Sequence, residues 1–419
     1  MTTAAAPDPL VVEATGSRHP MVGPAVFVPP AAADPVGVHH ASVAQHTDPT
    51  RSAGGGAARR RFDAAAAAVA EALERWAASS ASVPVRRASA VPPQHRIRLS
   101  EWSLHDASQR SSADFPSVAA YPDDEWLAEV FDLTTNDARW VPAALVRLSP
   151  EFGALSTSSG LAADPSVIRA LLRATQELVE RDAYVTTWLH QLGGREVAAP
   201  HLHRDVTPLG GHVRAFDLTQ DFSPHPVAAV TGTVPLGGAP RHSLGLACRA
   251  TWEEAVEKAH LEMLQGTVFA GHHLAAHPGL WGMSPAQVTG FDEHAVYYTA
   301  NPQEWDDVPL HRAARPAPRP PESGTGTDGT DGHAPQLHEL VTALRGAGVR
   351  LLYRDLTTVD CNQLGLRVVR VLSPDLAPLH HDHRWPFLGG RTTDVQWRYR
   401  DAGRRAAGPF PSPYPHALG

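Results

Sequence analysis

Two short stretches of the chain carry the same figure of acids and bases. "AEALERW" holds Glu71, Glu74 and Arg75, and "QELVERD" holds Glu177, Glu180 and Arg181. On a helix, residues three and four apart share a face, so each set projects as a unit. A single set is ordinarily a solvated face with one Glu–Arg pair, contributing a few tenths of a kcal/mol. Two such faces brought together would repel unless cations lay between them. Mg2+ takes a few carboxylates together with phosphate oxygens, and an arginine beside each acid suits a phosphate. The pattern therefore points to a Mg-nucleotide site.

Such a site would lack the common lysine-bearing loops. Lys258, in "AVEKAHLEM", is the only lysine of the chain and no glycine loop precedes it. A Walker A loop needs Gly-Lys-Ser/Thr, and a protein kinase needs a strand lysine. Both designs are excluded, which leaves arginines, backbone N–H groups and metal-bound carboxylates to hold a nucleotide.

Three helices are expected to position these groups. The first starts at Asp63 as N-cap and carries Val69, Leu73 and Trp76 inward. The second starts with Asp164 as N-cap and Pro165 at the first helical position, with Leu171, Ala174 and Leu178 as its stripe. The third starts at "TWEE", where Thr251 and Glu254 form a capping box; it turns Val256, Ala259 and Met263 inward and carries Glu262 and Gln265 elsewhere. Strand-like runs are "VPAALVRLS", "HPVAAVTGTVP", "EHAVYYTA", "VRLLYRDLTT" and "LRVVRVLS". Without a strict βαβ rhythm the fold class is α+β. A small-residue turn before each Glu-rich helix ("SAGGGA", "STSSGLAAD") suggests an internal duplication of sheet-and-helix units.

The composition sets outer bounds. The chain has 419 residues, 42% hydrophobic and 19% charged, as a globular protein does. No run of about 18 apolar residues is present, so no membrane span is expected. The N-terminus is a poor signal peptide, which makes the cytoplasm the expected location. The net charge of −8 argues against a protein driven by nucleic-acid phosphates. Cys248 and Cys361 are too few for a disulfide framework or a cysteine zinc site. Among the 24 histidines, "HLHRD" (His201, His203) and "HHDH" (His380, His381, His383) invite a metal reading. No third ligand at a set spacing accompanies either, so packing is preferred; His294 and Tyr298 in "FDEHAVYYTANP" are read as packing or as lining of a substrate groove.

Taken in order, "AEALERWAA", "SSGLAADPSVIRALLRATQELVERDAYVTTW", "SLGLACRATWEEAVEKAHLEMLQ" and "DLTTVDCNQLGLRVVRVLSPDLAPLHHDHRWPFLGGRT" resemble the signature segments of the YcaO family. "PFPSPYPHALG" resembles its proline-rich tail. The resemblance runs from about residue 34 to the end. It implies a YcaO fold around a Mg-nucleotide site and a cyclodehydratase that uses ATP and Mg2+. A Cys, Ser or Thr side chain of a ribosomal precursor peptide attacks the preceding carbonyl, the amide oxygen is phosphorylated, and loss of phosphate leaves an azoline. Thioamide or amidine formation, or a catalytically impaired scaffold, are the alternatives.

Carried over by position, Glu71, Glu177 and Glu180 are the expected metal ligands. Glu74, Arg75 and Arg181 contact nucleotide or orient those ligands, and Glu262, Gln265 and Arg370 are further nucleotide-binding candidates. The expected organisation is an N-terminal extension at 1–33, a YcaO domain at 34–419 with a flexible insertion at 312–335, and a tail at 408–419 that reaches the active site. A separate ThiF-like or recognition-element protein is expected to bring the leader peptide. A flavin dehydrogenase of the same pathway and a homodimer are further expected partners. The chain departs from the family pattern at Gly54-Gly55-Gly56, where Gly-Lys-Gly is usual. Alanine fills Ala64 to Ala68 where a serine is usual, Arg169 stands for a glutamate, and Asp164-Pro165 for Gly-Asn.

Overall fold

The computed structural model describes residues 9–16, 21–28, 38–44, 52–116, 124–149, 155, 157–237, 239–312, 315–316, 320–321, 332–400 and 408–419. Three sheets organise it. The first runs β1 (Ala25–Phe27), β2 (His39–Ala44), β3 (Ser52–Ala58), all antiparallel. The second contains β4 (Val85–Arg87), β5 (Trp126–Asp132), β6 (Ala138–Pro142), β7 (Leu161–Asp164), β13 (Leu352–Asp355) and β14 (Arg367–Leu372); its path is β4-β5-β13-β14-β7, with β6 on β5. The third contains β8 (Arg195–Val197), β9 (His212–Asp217), β10 (Val227–Leu236), β11 (Ala239–Cys248) and β12 (Arg315–Pro316), in the order β11-β10-β9-β8-β12. Five helices of ten or more residues complete the framework: α1 (Arg61–Ser80), α2 (Val167–Leu189), α3 (Trp252–Ala276), α4 (Phe291–Ala300) and α5 (His333–Gly346). No helix among the described residues is long and apolar enough to cross a membrane.

Helix α1 lies directly on β3, and the glycines explain how closely. A Cβ on Gly54 would stand 2.3 Å from the Ala68 carbonyl oxygen, and one on Gly56 would stand 2.1 Å from that of Ala64. Glycine on the strand and alanine on the helix let the two backbones meet. The stretch "SAGGGAA" is therefore a strand rather than a flexible turn. The same device recurs under α3, where a Cβ on Gly245 would stand 1.9 Å from the Ala259 oxygen. The expected apolar stripes are buried: Val69 and Leu73 at 0%, Leu171, Ala174 and Leu178 at 8% or less, and Val256, Ala259 and Met263 at 1% or less. Trp76 packs against the core while partly exposed.

Several sequence expectations are corrected. The N-cap of α1 is Arg60, with Asp63 inside the first turn. That of α2 is Ser166, whose hydroxyl accepts from Arg169 N; Asp164 instead ends β7. At the third start Thr251 is the N-cap as expected and accepts from Glu254 N at 3.2 Å, which is one half of the expected capping box. "EHAVYYTA" is helix α4, because its apolar residues pack against helix and strand neighbours on more than one side. "VPAALVRLS" ends β6 and then forms a short helix, Ala143–Val146. Of the first 33 residues, Pro9–Ala14 form a helix and Ala25–Phe27 pair with β2. The expected insertion at 312–335 lies largely outside the described residues; Arg315–Pro316 pair with β8.

Candidate active site

The acidic figure occurs three times, and its geometry is repeated each time. Glu71 on α1 accepts from Gly55 N of β3 at 2.7 Å. Glu177 on α2 accepts from Gly160 N, just before β7, at 3.0 Å. Glu262 on α3 accepts from Leu246 N of β11 at 3.4 Å. Each helix thus turns a carboxylate back onto the strand that feeds it. Three residues further along each helix the side chain reaches the next unit. Glu74 accepts from Ala163 N of β7 at 2.6 Å, and Glu180 accepts from Cys248 N of β11 at 3.0 Å. Gln265 closes the ring onto β3, its amide nitrogen 2.5 Å from where a Cβ on Gly55 would stand. The twofold recurrence seen in the sequence extends to a third strand–helix unit, with Glu262 and Gln265 in the places of the first two pairs.

The ring meets one of the departures noted in the sequence at Gly55. Gly55 stands where a lysine is usual, and the Gln265 amide covers the space a side chain there would need. Arg169, in place of a glutamate, is paired with Asp164. Its charge is thereby engaged at the start of α2.

Each acid of the first set has a base beside it. Arg75 donates to Glu71 at 2.6 Å and to the Ala53 carbonyl at 3.0 Å. Arg181 donates to Glu177 at 3.3 Å and lies 3.6 Å from Glu180. Lys258 pairs with Glu262 at 3.1 Å. Burial, opposed most by Arg181, pushes the Glu180 carboxyl up to about 8, with Glu262 and Glu177 adding to the rise. Glu74 is raised well above the carboxylate range by burial, and the charges of Glu71 and Glu177 add to it. At Glu262 burial pulls upward most strongly, yet Lys258, Arg181 and Arg249 together hold it below its usual value. Carboxylates that must take up protons when left alone are a set built to surround positive charge.

The complementary feature is a pair of unsatisfied guanidiniums. Arg181 leaves Nε and Nη1 without hydrogen-bond partners among the described residues, and Arg370 leaves its Nε and Nη1 likewise. Arg370, on β14, is 3% exposed, and burial lowers its pKa to about 10, with Glu177 opposing. Both arginines line one otherwise largely apolar pocket, whose wall includes Leu155, Leu178 and Leu376 beside the hydroxyls of Thr157, Ser159 and Ser373. Buried N–H donors left unpaired are costly, so anionic oxygens are the natural occupants. Oxygen-only acids beside them fit a hard divalent cation such as Mg2+, and not a soft one. The residues present therefore fit a Mg-phosphate group.

The predicted ligand trio needs one qualification. Among the described residues no three carboxylates bring one oxygen each within 4.8 Å of one another. Glu71 on α1 and Glu177 and Glu180 on α2 therefore form a band along two helices rather than a cage for a single ion. Thr157 and Ser159 were missed in the sequence; their only signal was the small-residue turn "STSSG". His201 and His203 are both exposed on a helical turn, not on a strand.

The described tail reaches this region. Trp188 Nε1 donates to the Tyr414 carbonyl at 2.9 Å, and Ala417 N donates to the Tyr184 hydroxyl at 2.8 Å, one helical turn beyond Arg181. Below the pocket, Asp182 and Arg398 form a fully buried pair at 2.6 Å. Asp182 also accepts from Ala377 N at 2.8 Å, which holds the pocket-lining loop in place.

Comparison with known proteins agrees with this architecture. No curated protein matches the sequence. Among solved structures, the chain superposes on a heterocyclase in complex with substrate and cofactor at TM-score 0.71, with 20% identity, covering 97% of this chain and 57% of that one. YcaO from Methanopyrus kandleri, bound with AMPPCP and Mg2+, gives TM-score 0.60 at 19% identity, covering 87% and 89%. The E. coli microcin synthetase McbBCD complex gives 0.61 at 14%, covering 96% and 98%. The chain spans about half the length of the heterocyclases it matches. The family model for the YcaO cyclodehydratases, described as ATP- and Mg2+-binding, matches residues 55–377. The strand–helix units, the acidic band and the two arginines all fall within that match, and the chain belongs to the YcaO cyclodehydratase family.

Proposed function

We propose that this protein is a peptide cyclodehydratase: it binds Mg-ATP between the Glu-rich helices and activates a backbone amide of a ribosomal precursor peptide, converting Cys, Ser or Thr to azolines. The observation that carries this reading is that Arg181 and Arg370 line one pocket and each keeps two buried guanidinium nitrogens without a hydrogen-bond partner among the described residues, beside an acidic band. Glu71, Glu177 and Glu180 are the metal-holding side chains, with Glu262 extending the band. Because the carboxylates are spread out, more than one ion is favoured. When bound, Mg2+ supplies charge neutralisation for the phosphates and for the transferring phosphoryl group.

The remaining work falls to the chain itself. Arg181 and Arg370 present N–H donors to oxygens that gain charge as the phosphoryl group moves, a role that needs positioning rather than a protein nucleophile. Glu74 and Gln265 hold neighbouring strand–helix units in register, and Arg75 fixes Glu71. The side-chain sulfur or oxygen of the peptide bonds to the preceding carbonyl carbon. The carbonyl oxygen takes the terminal phosphoryl group of ATP and leaves as phosphate, while the proton of the attacking group and that of the amide nitrogen are lost, so that a C=N bond closes the ring. The net result is removal of one water per ring, with ATP hydrolysed to ADP and phosphate.

A separate protein that presents the leader peptide is part of this proposal. It is supported by the McbBCD structures, one of which is a complex with bound pro-MccB17. The test incubates the protein with candidate precursor, ATP and Mg2+, with and without the partner, and reads peptide mass. Loss of one water per ring, dependent on ATP, is expected. Exchange of oxygen for sulfur would identify a thioamide synthetase instead. Ring formation that survives Glu177→Gln would overturn the site.

A further inference from the structure

Three histidines from distant parts of the chain converge next to the pocket. His294 comes from α4, His380 from the loop after β14 and His416 from the tail. They are 0%, 3% and 1% exposed, and one ring nitrogen of each lies within 4.8 Å of those of the other two. None belongs to the acidic band, and the proposed phosphoryl chemistry uses none of them.

Backbone carbonyls fix two of the three tautomers. His416 Nε2 lies 2.8 Å from the His380 carbonyl oxygen, and His294 Nδ1 lies 2.9 Å from the His416 carbonyl oxygen. A carbonyl only accepts, so both of these nitrogens carry hydrogen. The opposite nitrogens, His294 Nε2 and His416 Nδ1, are then bare lone pairs. Neither has a hydrogen-bond partner among the described residues, and neither has His380 Nδ1. The Leu418 backbone acts on His416 more weakly than the His380 carbonyl does, and His416 Nδ1 has no partner within hydrogen-bond geometry among the described residues. Burial, with the mutual effect of the rings, keeps all three neutral. Imidazoles that donate one N–H to a backbone carbonyl and leave the other nitrogen free are arranged as metal ligands are.

We propose that His294, His380 and His416 form a binding site for a zinc-type divalent cation that clips the C-terminal tail against α4 and the loop after β14. Neutral imidazole selects zinc or another late first-row metal, whereas Mg2+ prefers oxygen. The two metal sites of this protein would thus draw on different ions. Zinc bound at about 2.1 Å from each nitrogen requires the nitrogens to stand about 3.4 Å apart. The His294 and His416 rings, now stacked at 3.6 Å with a 6° interplanar angle, turn towards the ion when it binds. Loading draws the tail inward at His416. That residue adjoins Ala417, which contacts Tyr184; His380 follows Pro378 of the pocket wall. The zinc therefore positions the tail and takes no part in the chemistry.

The test uses the full chain without a polyhistidine tag. Metal content is measured after growth with zinc, and the chelator-treated protein is titrated with Co2+. About one zinc per chain is expected, with the visible absorption of low-symmetry, four-coordinate Co2+. His416→Ala and His294→Ala each lower zinc content at least tenfold, while Glu177→Gln and His203→Ala retain it. Removing the metal from the unmutated protein raises amide exchange over 408–419 by tenfold or more, a readout that does not depend on any variant folding. Wild-type protein that carries less than about a tenth of a zinc, gives no Co2+ spectrum and shows unchanged exchange would overturn the proposal. The three nitrogens would then be bridged by water.

Discussion

Glu180 offers the most direct quantitative test of the acidic band. Its carboxyl is 5% exposed, accepts one backbone hydrogen bond, and has a pKa raised from 4.5 to about 8. Above pH 4.5 an unfolded chain releases this proton while the folded protein keeps it. The stability linked to this group is therefore fully present below 4.5 and is lost as the pH rises towards 8. The loss is about 1.4 kcal/mol per pH unit, or about 3 kcal/mol by pH 7. Glu180→Gln keeps the shape and an acceptor for Cys248 N but cannot ionise. In urea unfolding at pH 5, 6, 7 and 8, the stability of the variant relative to wild type should rise with pH. Mg-ATP should stabilise the wild type far more than the variant. Calorimetry of Mg-ATP binding at pH 7 in buffers of different ionisation enthalpy should show release of up to about one proton, because a metal-bound carboxylate is ionised. Parallel pH profiles for the two proteins, with no proton released on binding, would refute this reasoning.

Other outcomes follow from the same geometry. Glu177→Gln, at a side chain 24% exposed, should abolish ATP consumption while shifting stability little, as read by coupled phosphate release and thermal melting. Asp182→Ala strips the partner from buried Arg398 and should cost about 3–5 kcal/mol in urea unfolding. A double change to apolar residues of similar volume should recover part of that loss. Gly56→Ala places a methyl 2.1 Å from the Ala64 carbonyl oxygen and should cost about 1–3 kcal/mol through displacement of α1. Arg370→Met should weaken nucleotide binding without unfolding the chain, since it removes a buried guanidinium whose Nε and Nη1 have no hydrogen-bond partner among the described residues. Equilibrium dialysis with an ATP analogue reads that change.

The helices were legible because their signals are local. The E-x-x-E-R figures, the apolar stripes and the Thr251 cap are all set by residues within a turn or two of one another. The three errors of element type share a cause. "SAGGGAA" reads as a loop from glycine propensity alone, yet it is a strand because a helix backbone must lie against it. "EHAVYYTA" is rich in β-branched and aromatic residues like a strand, yet it is a helix buried against several neighbours. "VPAALVRLS" is apolar throughout, a pattern that does not separate a strand from a buried helical turn.

The sequence by itself determined that no lysine loop is present, and that Glu71 with Glu74, and Glu177 with Glu180, each share one helix face. Covalent spacing along a helix is enough for that. Only the tertiary structure decided that the figure is a closed ring of three, because Gln265 reaches β3 and Glu262 returns to β11 through space. It alone placed the Gln265 amide over Gly55, where any added side chain would have to displace it. It also joined His294, His380 and His416, whose separation along the chain left no spacing to read. Long-range convergence depends on how sheets and helices stack, and a pattern confined to neighbouring residues does not encode it.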